Sequence, residues 1–180
     1  KALKRDKVVQ GVFEIILADT AVKEMVKLHQ LYSGTVKFES GKSAILDYSK
    51  GFFIKDKFEG QKIAIFYKFK EEFNLLKEVF GDCLTDDLSE FDNSNKNIAL
   101  QIVSGREGIS LAKAKYLVYF NIDFSAVSYW QSRDRLTTMQ RSTNDIYWIF
   151  SKGGIESKIY KAVSNKKDFT LSVFKKTYND

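Results

Sequence analysis

The sequence predicts an α/β fold, an open and mostly parallel β-sheet with helices on both faces, preceded by a small strand, helix and hairpin segment. Three observations predict it. Four apolar runs, KIAIFY (62–67), NIALQIV (97–103), KYLVYFNI (115–122) and DIYWIF (145–150), have the length of strands and no polar alternation, which marks strands covered on both faces. Amphipathic stretches of helical period alternate with them. A chain of 180 residues, 44% hydrophobic, can bury one ordinary core and not comfortably two.

In chain order, Val8 to Ala18 contains a β-prone run, VFEIILAD at its heart. Asp19 or Thr20 can then cap a helix carrying Val22, Met25, Val26, Leu28 and Leu31 at helical spacing, and Gly34 ends it. TVKF and AILD flank Gly41 as a short hairpin. A helix is predicted from about Tyr48 to Phe58, then the KIAIFY strand. KEEFNLLKEVFG follows, with Phe73, Leu75, Leu76, Val79 and Phe80 on a broad apolar stripe and Gly81 as its stop. Beyond the next two apolar runs, a helix is predicted from Ser128 to about Met139. After DIYWIF, Gly153 and Gly154 lead into a helix from Ile155 to about Asn165. The organisation expected is a lead-in over residues 1–50, a main lobe over 51–165 and a basic tail over 166–180.

Composition narrows the function. No apolar run approaches the length of a membrane span, and the basic N-terminus precedes no apolar signal region, so a soluble, cytoplasmic protein is expected. One cysteine, Cys83, and one histidine, His29, allow neither an internal disulfide nor a zinc or iron cluster, and no metal site is expected. Ser-His-Asp and Cys-His chemistry is disfavoured on the same ground. The net charge of +6 and pI of about 9.2 favour a polyanionic partner. That charge is polarised: lysines and arginine open and close the chain, and carboxylates gather between Asp82 and Asp92.

Three stretches carry candidate chemistry. Gly41, Lys42 and Ser43 spell the end of a phosphate-binding P-loop, but Val36 stands where its first glycine belongs and a hairpin surrounds it, so it reads as a turn. SGREGISL (104–111) follows the carboxyl end of a buried strand, where open α/β sheets place ligands, and Gly105 and Gly108 allow close backbone approach. SYWQSRDRLTTMQR (128–141) sets Gln131, Asp134 and Arg135 at i, i+3 and i+4. Taken singly, each also reads as an ordinary loop or a solvated helix face.

In order and spacing, these stretches resemble the C-terminal, second RecA-like lobe of Swi/Snf-type superfamily 2 helicases, most closely the compact versions carried in bacteriophage genomes. KIAIFYKFKEEFNLL (62–76) is similar to the family's motif IV, SGREGISLAKA (104–114) to motif V, usually AGGEGLNLTAA, and QSRDR (131–135) to the start of motif VI. KGGIESKIYKAVSNKKD (152–168) is similar to the family's KGTIEERI segment. The resemblance covers nearly the whole chain. It implies that Gly105, Arg106, Glu107 and Gly108 lie between nucleotide and nucleic acid. Ser110, with Lys113 and Lys68, would meet the DNA backbone. Gln131 would orient an inter-lobe ATP site and Arg135 would neutralise charge on the transferred phosphoryl group, with ATP and its Mg held mainly by an N-terminal RecA-like lobe. Duplex DNA is the implied substrate and no membrane is involved. Asp123 would order its loop.

The family's second motif VI arginine falls at Thr138, and Arg141 stands three residues further on. On a regular helix Arg141 would project about 60° from the Thr138 direction, so the catalytic assignment is divided between Arg135 and Arg141. A second departure is the short acidic span from Gly81 to Asn97, where the family carries a longer strand, loop and helix. An ATP-driven DNA helicase or translocase lobe is therefore set against a degenerate nucleic-acid clamp without ATPase activity, and against a scaffold domain.

Overall fold

In a computed structural model of the chain, residues 2–10, 14–103, 108–138 and 145–178 are described. A short helix α1 (Ala2–Asp6) leads into β1 (Val8–Gln10), which pairs antiparallel with β2 (Ile15–Leu17). The single run expected over 8–18 is thus two short strands, which satisfy backbone groups on each other.

Helix α2 (Ala21–Tyr32) starts where Thr20 accepts the Lys23 amide on its side chain. It ends at Ser33, and Gly34 continues at φ +86, where an added Cβ would stand 2.4 Å from the Asp47 carbonyl oxygen. Only glycine fits that turn. The hairpin β3 (Thr35–Lys37) and β4 (Ser43–Ile45) follows as the sequence predicts, with Gly41 in its turn. Helix α3 (Ser49–Lys57) follows.

The main sheet has five parallel strands, β5 (Ile63–Tyr67), β6 (Leu84–Thr85), β7 (Asn97–Gln101), β8 (Tyr116–Tyr119) and β9 (Asp145–Trp148). Their spatial order is β6-β7-β5-β8-β9, with β5 central. Successive residues on the strands face opposite ways. Ala64, Phe66, Ile98, Leu117 and Tyr119 join one core layer, and Ile63, Ile65, Ala99, Val118 and Phe120 join the other. This two-sided burial is why the runs read as unbroken apolar segments.

Helix α4 (Lys70–Phe80) and α3 cover the second layer through Leu75, Leu76, Val79 and Ile54. On the first lie α5 (Leu88–Asn93), α6 (Ala126–Arg133) and α7 (Glu156–Ser164), through Phe91, Tyr129, Ile159 and Val163. The acidic span 81–97 folds as a turn, the two-residue β6 and the six-residue α5. Within the expected tail lies a helix, α8 (Leu171–Tyr178), which packs against α2 and buries Phe174. Among the described residues no helix is long and apolar enough to cross a membrane.

One expectation fails. The helix predicted from Ser128 to about Met139 begins at Ala126, capped by Ser125, and its α-helical part stops at Arg133. Asp134–Leu136 form a 3-10 turn, and Thr137 is extended.

Candidate functional site

In a parallel α/β sheet the carboxyl ends of the strands face a crevice where backbone amides and side chains converge. Here that edge is built by Lys68 and Phe69 after β5, Asn121 to Phe124 after β8, and Ile149 to Ser151 after β9. Lys68 donates its ammonium to Asp123 Oδ1, which also accepts the Phe124 amide at 2.9 Å, and the ammonium lies 4.4 Å from the centre of the Phe124 ring. Asp123 therefore orders its turn and neutralises Lys68.

Beneath this pair lies a buried polar chain that sequence reasoning missed. Glu72 accepts the amides of Lys68 and Phe69 at 2.7 and 2.9 Å and the Asn121 side-chain amide at 2.5 Å. Asn121 in turn meets His29 Nε2, and all three side chains are fully buried. Burial pushes the Glu72 carboxyl up, and burial together with the nearby Lys68 and Lys50 charges holds His29 well below its usual pKa. His29 thus works inside the fold, as a lone histidine usually does, while Cys83 is exposed.

The segment from Gly108 to Leu111 and the turn at Arg135 meet directly. The Leu111 amide donates to the Arg135 carbonyl at 2.8 Å, and the buried Leu111 and Leu136 enter one core layer together. Gly108 is exposed with φ +42, and an added Cβ would meet nothing within 4 Å, so backbone conformation rather than space favours glycine. Ser110 is exposed, with its hydroxyl accepting the Ala112 amide at 3.4 Å. Gln131 is exposed on the last turn of α6, beside Trp130, Val127 and Lys166 in a depression of about 360 Å³. Arg135 is half-buried on the 3-10 turn.

Gly105, Arg106, Glu107 and Arg141 lie outside the described residues. The premise for Arg141 has changed, because the helix that would have carried Thr138 and Arg141 ends at Arg133. Arg133, which the motif reading passes over, stacks its guanidinium 4.7 Å from the Trp130 ring.

Lys113 and Lys68 are not neighbours. Lys113 donates to the Asp92 carbonyl at 2.6 Å, and its charge depresses the pKa of Lys62 just before β5, although burial is the larger cause. It sits at the amino edge of the sheet and Lys68 at the carboxyl edge, separated by the length of β5, about 16 Å.

No protein-family model and no curated protein matches the sequence. Among solved structures, the chain is similar to the C-terminal part of the Fun30 ATPase domain, with a TM-score of 0.53 and 19% identity. The fold is RecA-like. The alignment covers 70% of this chain and 47% of that one, so the chain spans about half the length of its neighbour. At this identity the likeness speaks for the fold: a parallel five-stranded sheet with helices around it, as the sequence predicts.

Proposed function

We propose that this RecA-like chain is the C-terminal lobe of a superfamily 2 DNA helicase or translocase of the Swi/Snf type. The observation that carries the reading is the hydrogen bond from Leu111 to the Arg135 carbonyl, which fastens the motif V-like segment to the motif VI-like turn. A loop facing nucleic acid and an arginine facing nucleotide would move as one body, the coupling a translocase requires.

In this reading Arg135 and Gln131 face the phosphates of ATP held by a first RecA-like lobe, and Ser110 meets the DNA backbone. The residues fit phosphate contact rather than metal ligation: an arginine and an amide are offered, and no group of three His, Cys, Asp or Glu side chains among the described residues could hold a metal ion. In the same reading ATP and its Mg would be held mainly by the other lobe. ATP supplies the phosphoryl group whose transfer drives closure and reopening, while Arg135 offsets the charge that develops on it.

Replacing Arg135 by Ala in the complete protein should slow DNA-stimulated ATP hydrolysis by about a thousandfold or more while sparing DNA binding. Unchanged turnover would sink the assignment. The rival reading, a nucleic-acid clamp without ATPase activity, is favoured by Thr138 at the second arginine position. It is removed if the wild-type protein hydrolyses ATP faster once duplex DNA is added.

A further inference from the structure

Seven lysines fall between Lys152 and Lys176 against two carboxylates, Glu156 and Asp168. Both carboxylates are engaged. Glu156 is buried against Lys50 at 3.0 Å, and Asp168 accepts the Ala126 amide at 2.8 Å. Elsewhere in the fold lysines are commonly neutralised, as Lys23 is by Asp19, Lys68 by Asp123 and Lys96 by Glu90. Among the described residues Lys152, Lys161, Lys166, Lys167, Lys175 and Lys176 form no ion pair, and all six are exposed. An uncompensated cluster of this kind raises the local positive potential and draws polyanions to it.

The cluster surrounds a groove of about 660 Å³ between α7 and α8, with Lys158, Lys161 and Lys167 among its lining residues, together with the polar Asn165 and Thr177. A strained turn shapes one end of it. Lys166 holds φ +58 just after α7, fixed by its own amide to Val163 and the Lys167 amide to Ala162 at 3.0 and 3.2 Å. Glycine or asparagine takes this left-handed position more easily. The turn sends Lys166 toward the Trp130 ring, 5.6 Å away, and Lys167 into the groove.

The charge continues past the groove, to Lys175 and Lys176 on α8 and to Lys166 beside α6. Evenly spaced phosphates can follow such a ridge, whereas a compact acidic peptide would engage only the groove. We propose that the α7–α8 groove and its lysine ridge bind the phosphodiester backbone of duplex DNA without regard to sequence, as a second backbone contact besides Ser110. The inference rests on the DNA-acting reading above.

The test is the salt dependence of binding of the 180-residue chain to a labelled duplex of mixed sequence. Each phosphate neutralised contributes about 0.9 to the slope of log affinity against log salt. Changing Lys161, Lys167, Lys175 and Lys176 together to Gln should make that slope shallower by roughly 2 to 4 and weaken binding at low salt at least about tenfold. The thermal melt should not move, and the corresponding four-arginine variant should keep the wild-type slope. A glutamine variant that binds the duplex with the wild-type slope and affinity overturns the inference alone. So does one that loses only affinity for polyglutamate. If the wild-type chain shows no salt-dependent duplex binding, the inference and the DNA-acting reading fall together.

Discussion

Glu72 has no solvent exposure, yet both its oxygens are used, one by the amides that open α4 and the other by Asn121. Asn121 passes the contact to His29, whose Nδ1 has no partner among the described residues. If Asn121 presents its carbonyl oxygen, Nε2 carries the proton and the ring is neutral, consistent with its depressed pKa. Below about pH 6.5 the unfolded chain binds a proton at His29 that the folded chain resists, so stability falls as pH drops toward the folded pKa. Glu72 acts in the opposite sense: its raised pKa contributes stability that is full below about pH 4.5 and lost as pH rises through the folded value. Replacing His29 by Gln should therefore lower the melting temperature at neutral pH but flatten or reverse its decline from about pH 7 to about pH 5. Parallel declines in the two proteins would refute this account. The lone histidine could be read from sequence as a core residue. Which carboxylate of the KEE run turns inward could not, because both acids suit a helix N-terminus equally and only the position of Asn121 selects Glu72.

At the scale of elements, α6 shows where periodicity misleads. QSRDRLTTMQR contains no Gly or Pro, and its pattern supports a helix to about Met139. In a continued α-helix the Arg135 carbonyl would accept the amide of residue 139. It accepts the Leu111 amide, and Thr137 closes a 3-10 bond to Asp134 at 3.0 Å, so the chain leaves the α-helical pattern where this tertiary contact forms. Such a bond joins residues 24 apart in sequence and leaves no local mark. What was legible is the strand before Ser104 and the helix that carries Gln131. What was not is that the segments following them are fastened together. Leu136, fully buried, holds the turn to the core. Leu136→Ala should cost about 2–5 kcal/mol in denaturant unfolding. Under the proposed function, in which Arg135 faces ATP, the same change in the complete protein should reduce ATP turnover more than DNA binding. A stability loss below about 1 kcal/mol would show that the turn is held by the backbone bond alone.

For the molecule as a whole, the decisive question is what ties the lead-in to the end of the chain, since α3 and α7 lie over opposite layers of the sheet. Lys50 on α3 reaches past the carboxyl end of β8, donating to the Phe120 carbonyl at 3.1 Å and to Glu156 at the start of α7 at 3.0 Å. Both groups are buried, with Glu156 at 0% exposure. The glycine pair before α7, read from sequence only as a break, has a steric purpose here: a Cβ on Gly154 would stand 2.0 Å from Glu156 Oε2. Glu156 meets Lys50 through Oε1 alone, its Oε2 having no hydrogen-bond partner among the described residues. A buried ion pair is worth little net, but one ion left alone is costly. Lys50→Met should therefore destabilise the fold by about 3–5 kcal/mol, and adding Glu156→Leu should restore much of that loss. The pair of measurements separates a clamp from mere packing. If the double variant unfolds as readily as Lys50→Met, the cost lies in the lost contact with Phe120 and its ring, and the ion pair is not what joins the two ends of the lobe.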